Sequence, residues 1–150
     1  MCGSDSLADA LAVSSGARWD GPLPTPEVVR GLPDAMRATQ QVFDRTGGAH
    51  AAALATADGE VVVVREDVGR HNAVDKVTGA RMLAGLTSAE ACLVVSGRAG
   101  FELVQKAVAA GIGSLVAVGA PTSLSVRLAT EHGLALYAFT RPGRVVSYSR

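Results

Sequence analysis

Residues 92–139 read CLVVSGRAGFELVQKAVAAGIGSLVAVGAPTSLSVRLATEHGLALYAF. Three short apolar runs, CLVVS, SLVAVG and LALYAF, alternate with two helical runs, FELVQKAVAAG and SLSVRLATEHG, and the joints are the turns GRAG and APT. A lone apolar run does not distinguish a buried strand from a buried helix. Regular alternation with helices does, because strands covered on both faces lose the in-out polar pattern and stay apolar throughout. The segment therefore predicts a largely parallel sheet with right-handed crossovers, and a fold of the α/β class.

Working outward, HAAALATADGEVVVVRED (50–67) reads as two strands around a turn at Ala57, Asp58 and Gly59, with VVVV as an interior strand. NAVDKVTGARMLAG places Val74, Val77 and Met82 at helical spacing, with Gly85 near the end. On the far side, RVVSYS adds a last strand through the tight turn at Arg141, Pro142 and Gly143. Upstream, Thr25 and Pro26 form one helix start and Leu32 and Pro33 a second. The second helix brings Met36 and Phe43 to one face and stops at Gly47 and Gly48. WDGPLPTPEVV is a connecting loop, and Ser4 to Val13 has the spacing of a short helix. The sum is a three-layer α/β/α fold with a mixed, mostly parallel sheet, in a single domain over 1–150.

Composition narrows the functional classes. Fourteen basic residues balance fourteen acidic ones and are scattered along the chain, so no broad electrostatic footprint for nucleic acid or anionic lipid is expected. No apolar run approaches a membrane span and no leader is evident, which predicts a soluble, cytoplasmic protein. The two cysteines, Cys2 and Cys92, offer neither a disulfide framework nor a metal-ligand set, and Cys92 within ACLVVSG reads as a buried thiol. HxE with PCxxC, HExxH and GxSxG are all missing, which argues against zinc hydrolysis and a serine triad.

Any anion site must then be local. In an open α/β sheet, ligands settle beyond the carboxyl ends of the strands, where loops run into helix N-termini. Three loops fall there: REDVGRHN after VVVV, SGRAG after CLVV, and GAPTS after LVAV. Gly97 permits close backbone approach, Arg98 can grip a phosphate, and Thr122 or Ser123 can cap a helix or bind an oxygen. Arg65, Glu66, Asp67 and Arg70 have a rival reading as a solvated ion-pair network, and Lys106 reads as an exposed helix residue. His71 can donate a hydrogen bond to a ligand or tie its loop together, while His50 and His132 read as structural. Cys2, in MCGSDSL, is the reactive candidate, since glycine gives mobility and a following helix favours a thiolate.

The segments CGSDS, FDRTGGAHAAAL, REDVGRHNAVDK, SGRAGFELVQKA, GAPTSLSV and FTRPGR span nearly the whole chain in an order that resembles the formate dehydrogenase accessory protein family, the FdhD sulfurtransferases. GRHNAVDK carries most of the specificity. The resemblance implies a cytidine-deaminase-like domain without the deaminase zinc, so no metal site. It implies that sulfur from a cysteine desulfurase travels as a cysteine persulfide to the molybdenum cofactor in its bis(molybdopterin guanine dinucleotide) form, for use by formate dehydrogenase. It makes a homodimer the expected state.

The family's cofactor-binding segment falls on Phe139, Thr140, Arg141, Pro142, Gly143 and Arg144, with Arg65, Arg70, His71, Asn72 and Arg98 as further contacts. Asp67 or Glu66 is expected to orient the arginines or to read a guanine edge. Three departures stand out. The family's CGxCG pair is incomplete, leaving Cys2 aligned with the second cysteine or, in another register, with the first while Asp5 replaces the second. Gly100 stands where serine is usual, and the family's additional N-terminal domain is expected to be missing from this chain. The leading expectation is a sulfur carrier with Cys2 as its sulfur-handling residue. A non-catalytic binding module or chaperone for the guanine dinucleotide cofactor is the alternative, ahead of a general nucleotide-binding enzyme.

Overall fold

A computed structural model describes residues 18–42 and 50–149. Cys2, the expected helix from Ser4 to Val13, Phe43, and the stop at Gly47 and Gly48 lie outside the described residues. The elements run α1 (Pro26–Val42), β1 (His50–Ala55), β2 (Val61–Asp67), α2 (Arg70–Leu83), β3 (Cys92–Val95), α3 (Phe101–Ala109), β4 (Ser114–Ala117), α4 (Ser123–Glu131), β5 (Ala135–Arg141) and β6 (Arg144–Ser149). They build one mixed sheet in the order β2-β1-β3-β4-β5-β6.

The parallel part is its centre, β3-β4-β5, as the alternation in residues 92–139 requires. The flanks are antiparallel: β1 pairs with both β2 and β3, and β6 returns along β5. α3 and α4 pack on the same face because consecutive crossovers that step one way and share a hand must do so. Val74 and Val77 of α2 join that face with Leu54, Leu93, Leu103 and Leu115. Val29, Leu32 and Met36 of α1 cover the other face over Ala53, Val94 and Tyr137, with Trp19 and Leu23 packed at the margin. Each large aliphatic side chain fully removed from water in this way contributes about 1.5–3 kcal/mol.

Three local expectations are corrected. VVVV is an edge strand, not an interior one: Val62 is 38% exposed, and the buried inner strand is the alanine-rich β1. Alanine favours helices in isolation, but its small side chain lets layers close on both faces, and packing overrides propensity. The two helix starts upstream merge into one helix that runs through Pro33. Met82, expected on the core face of α2, is 66% exposed, and Leu83 is 92% exposed. The turn at Asp58 and Gly59 forms as expected, with Gly59 at φ +94°. No helix among the described residues is long and apolar enough to cross a membrane.

Candidate functional site

The carboxyl ends of β3 and β4 and the adjoining ends of the antiparallel strands gather four loops at one edge of the sheet. His50 opens β1 opposite Asp67, the last residue of β2, so the polar stretch 65–76 turns into α2 at this edge. Ser96 and Ala51 lock β1 to the loop after β3: the Ser96 N–H donates to the Ala51 carbonyl at 3.0 Å, and the Ala51 N–H donates to Ser96 Oγ at 2.9 Å. The next step is made by glycines. The Gly119 N–H donates to the Gly97 carbonyl at 2.9 Å, and the Ala99 N–H donates to the Ala120 carbonyl at 3.0 Å. A Cβ on Gly119 would meet Arg98 Cα and the Gly97 carbonyl oxygen at 3.1 Å, so the two loops touch backbone to backbone. The Phe139 N–H then donates to the Gly119 carbonyl at 3.2 Å and brings in the β5–β6 hairpin.

Around this spine the sequence-predicted residues divide. Arg70 is the first residue of α2, its Cδ lies 3.9 Å from where a Cβ on Gly97 would stand, and its Nε–H is buried without an acceptor. Thr140 is 1% exposed, and its hydroxyl also has no partner. Buried donors are seldom left unpaired, and both of these belong to residues at the carboxyl end of the sheet. Arg144 stacks on Phe139, with the guanidinium carbon 5.8 Å from the ring centroid. Phe139 itself sits at φ 54°, unique among the non-glycine residues described, and for an aromatic side chain that is a strained backbone. Arg98, Arg141, Pro142 and Gly143 are exposed on the loop and the hairpin tip.

Other candidates are committed elsewhere. His71 Nε2 lies 3.1 Å from Glu102 Oε1, which ties α2 to α3. The Asn72 side-chain amide donates to Asp67 Oδ2 at 3.2 Å, as does the Gly69 N–H at 2.8 Å, while Lys76 pairs with Asp67 Oδ1 at 2.8 Å. Lys76, Gly69 and Asn72 together hold the Asp67 carboxyl down at about 2. Arg65 bonds the neighbouring Val64 carbonyl at 2.7 Å on the edge strand and stands across two strand spacings, about 10 Å, from Val95. It does not join the cluster. Thr122 serves as a cap: its hydroxyl accepts from the Ser125 N–H at 3.0 Å while Ser125 Oγ accepts from the Thr122 N–H at 2.9 Å. Lys106 bridges to Asp75 at 2.9 Å.

Cys92 is fully buried in β3, and burial pushes its thiol up to about 11, which makes it a poor nucleophile at neutral pH. Sequence reasoning missed Tyr148, whose ring centroid is 6.5 Å from that of Phe139, and Glu102 as the partner of His71. Glu102 lies in the first turn of a helix whose start was legible, and that position was the available signal.

Comparison with known proteins accords with this fold. The sulfur carrier protein FdhD of Streptomyces coelicolor is 56% identical over 155 residues, covering 99% of this chain and 54% of its own length. The protein of the same name from Thermoplasma volcanium is 43% identical, covering 94% of this chain and 50% of its own length. The chain thus spans about half the length of the curated relatives it matches. A crystal structure of a candidate formate dehydrogenase accessory protein from Desulfotalea psychrophila superposes with a TM-score of 0.76 at 28% identity, covering 89% of this chain and 57% of that one. The family described as FdhD/NarQ matches residues 1–150 throughout, and the chain belongs to that family.

Proposed function

We propose that this chain is the cofactor-facing part of a sulfur carrier that serves formate dehydrogenase, and that its cargo site is the cluster of loops at the carboxyl edge of the sheet. The cargo is the molybdenum cofactor in its bis(molybdopterin guanine dinucleotide) form, which presents phosphates and guanine edges. One observation carries the reading: a continuous hydrogen-bonded spine, Gly97 to Gly119 to Phe139, joins the loop beside Arg70 to the hairpin that bears Arg141 and Arg144. Guanidinium groups held by backbone contact present donors in a fixed arrangement, which suits a phosphate. Relatives that carry the name sulfur carrier protein FdhD support the role.

In this reading Cys2 handles the sulfur. Its thiolate attacks the outer sulfur of a desulfurase persulfide, the desulfurase cysteine leaves as thiolate, and Cys2 holds the sulfur as a persulfide for the cofactor. The interior Cys92 is excluded from that step by burial. Two measurements test the proposal. Calorimetric titration of the chain with guanosine diphosphate and with pyrophosphate is expected to give saturable binding of both, and no binding of either would remove the cargo site. Incubation with a cysteine desulfurase and cysteine is expected to add one sulfur to Cys2 by intact mass and peptide mapping. Failure of the second with success of the first leaves a non-catalytic carrier of the cofactor.

A further inference from the structure

The polar stretch 65–76 holds a carboxylate, Asp67, whose role the sequence leaves open: reading a guanine edge, orienting the arginines, or joining a solvated ion-pair network. Both oxygens of Asp67 are already engaged within its own segment. Oδ2 accepts from the Gly69 N–H at 2.8 Å and from the Asn72 amide at 3.2 Å, and Oδ1 holds Lys76 at 2.8 Å. Lys76 also donates to the Glu66 carbonyl at 3.0 Å, which closes the stretch on itself. These bonds span the junction between β2 and α2. Gly69 is the helix N-cap at φ −108°, ψ 130°, and α2 has no side-chain cap on its first turn. The Asp67 carboxylate holds the Gly69 N–H just ahead of that turn. Arg70 is the next residue, its side chain running beside Gly97 with Nε buried and unpartnered.

We propose that Asp67 is a positioning residue that sets the turn at Gly69 and thereby aims Arg70 into the loop cluster, and that it does not read the base of the ligand. This rests on the phosphate-binding reading given above and deepens it. It has a sign that separates it from simple electrostatics. Removing a negative charge near an anion site should strengthen anion binding, whereas removing a support for Arg70 should weaken it.

The test compares Asp67→Asn, which keeps the shape and weakens the acceptor, with the parent chain for guanosine diphosphate, inosine diphosphate and pyrophosphate. The diphosphates differ by the exocyclic amine of the base, and pyrophosphate has no base. Asp67→Asn is expected to weaken all three by a similar factor, on the order of tenfold, as loss of a supporting contact does at other built sites. In an Arg70→Ala background the same substitution is expected to cost less than about twofold, because the residue acts through Arg70. Circular dichroism confirms that each variant is folded, and the Arg70→Ala comparison remains decisive if Asp67→Asn lowers the melting temperature.

A loss confined to guanosine diphosphate would assign Asp67 to the base and overturn the proposal. A gain for all three ligands, no change, or an undiminished loss in the Arg70→Ala background would overturn it equally. A parent chain that binds none of the three overturns the cargo site itself, and this proposal with it.

Discussion

Two arginine-bearing segments reach the same edge of the sheet and use their charges in opposite ways. In residues 65–76 most polar groups are occupied with one another or with neighbours: Asp67 with Lys76, Asn72 and Gly69, His71 with Glu102, Arg65 with a backbone carbonyl. In residues 139–144 the exposed Arg141 has no ion pair among the described residues, and Arg144 rests on the face of Phe139. The denser segment in sequence therefore has much of its charge committed to itself. Glu66 and Arg70 are left without a carboxylate or guanidinium partner among the described residues, and of the two Arg70 is the one placed beside Gly97. The first segment is chiefly scaffold, and the proposed function makes the second chiefly donor.

The comparison can be broken most directly at Arg144. Truncating Arg144→Ala is expected to raise the dissociation constant for pyrophosphate by about thirtyfold, the loss of roughly 2 kcal/mol that a hydrogen bond to a charged group supplies. The melting temperature should stay within a degree or two, since the side chain is exposed. An unchanged affinity would move the hairpin out of the donor class.

Next in size is the joint between the segments. Gly119→Ala is expected to cost about 1–3 kcal/mol by chemical denaturation, because its Cβ would press on Arg98 Cα and the Gly97 carbonyl, backbone that has little room to yield. Gly143→Ala at the hairpin tip meets nothing within 4 Å and should change stability by less than about 0.5 kcal/mol. Equal effects at the two glycines would mean that the loops are not packed against each other.

The smallest effect sharpens the scaffold side. Asp67 has its carboxyl lowered from 3.8 to about 2, so its pairing stabilises the fold fully above pH 3.8 and is lost as pH falls through about 2. Acid titration of stability should show this increment in the parent and not in Asp67→Asn. An identical acid limb in both would separate Asp67 from the scaffold.

The sheet centre was legible because β3, β4 and β5 are apolar throughout and are spaced by helices with their own punctuation, and those features survive any tertiary context. The edge was less so. Four consecutive valines in β2 read as an interior strand, yet burial depends on which strands flank them, and a single sequence does not carry that order. Met82 fits the helical spacing of α2 but lies in its last turn and is exposed. At the site, the loops were readable from glycine and strand ends, while Thr122 was open between capping and ligand binding until the structure showed the cap. Pairing among the charges was not: that Asp67 takes Lys76 while Arg70 Nε stays without an acceptor depends on a few ångströms of backbone placement. The strain at Phe139 left no trace in residue type, since nothing about phenylalanine suggests a positive φ.

If separate loops form one oxyanion cradle, amide chemical shifts followed during a pyrophosphate titration will report it. Gly97, Gly119 and Arg70 are predicted to shift together along one binding curve, while Gly85, Gly111 and Gly133, which lie at the helix ends opposite the cradle, stay still. Shifts limited to one of the loops, or larger at Gly85, Gly111 and Gly133, would contradict it.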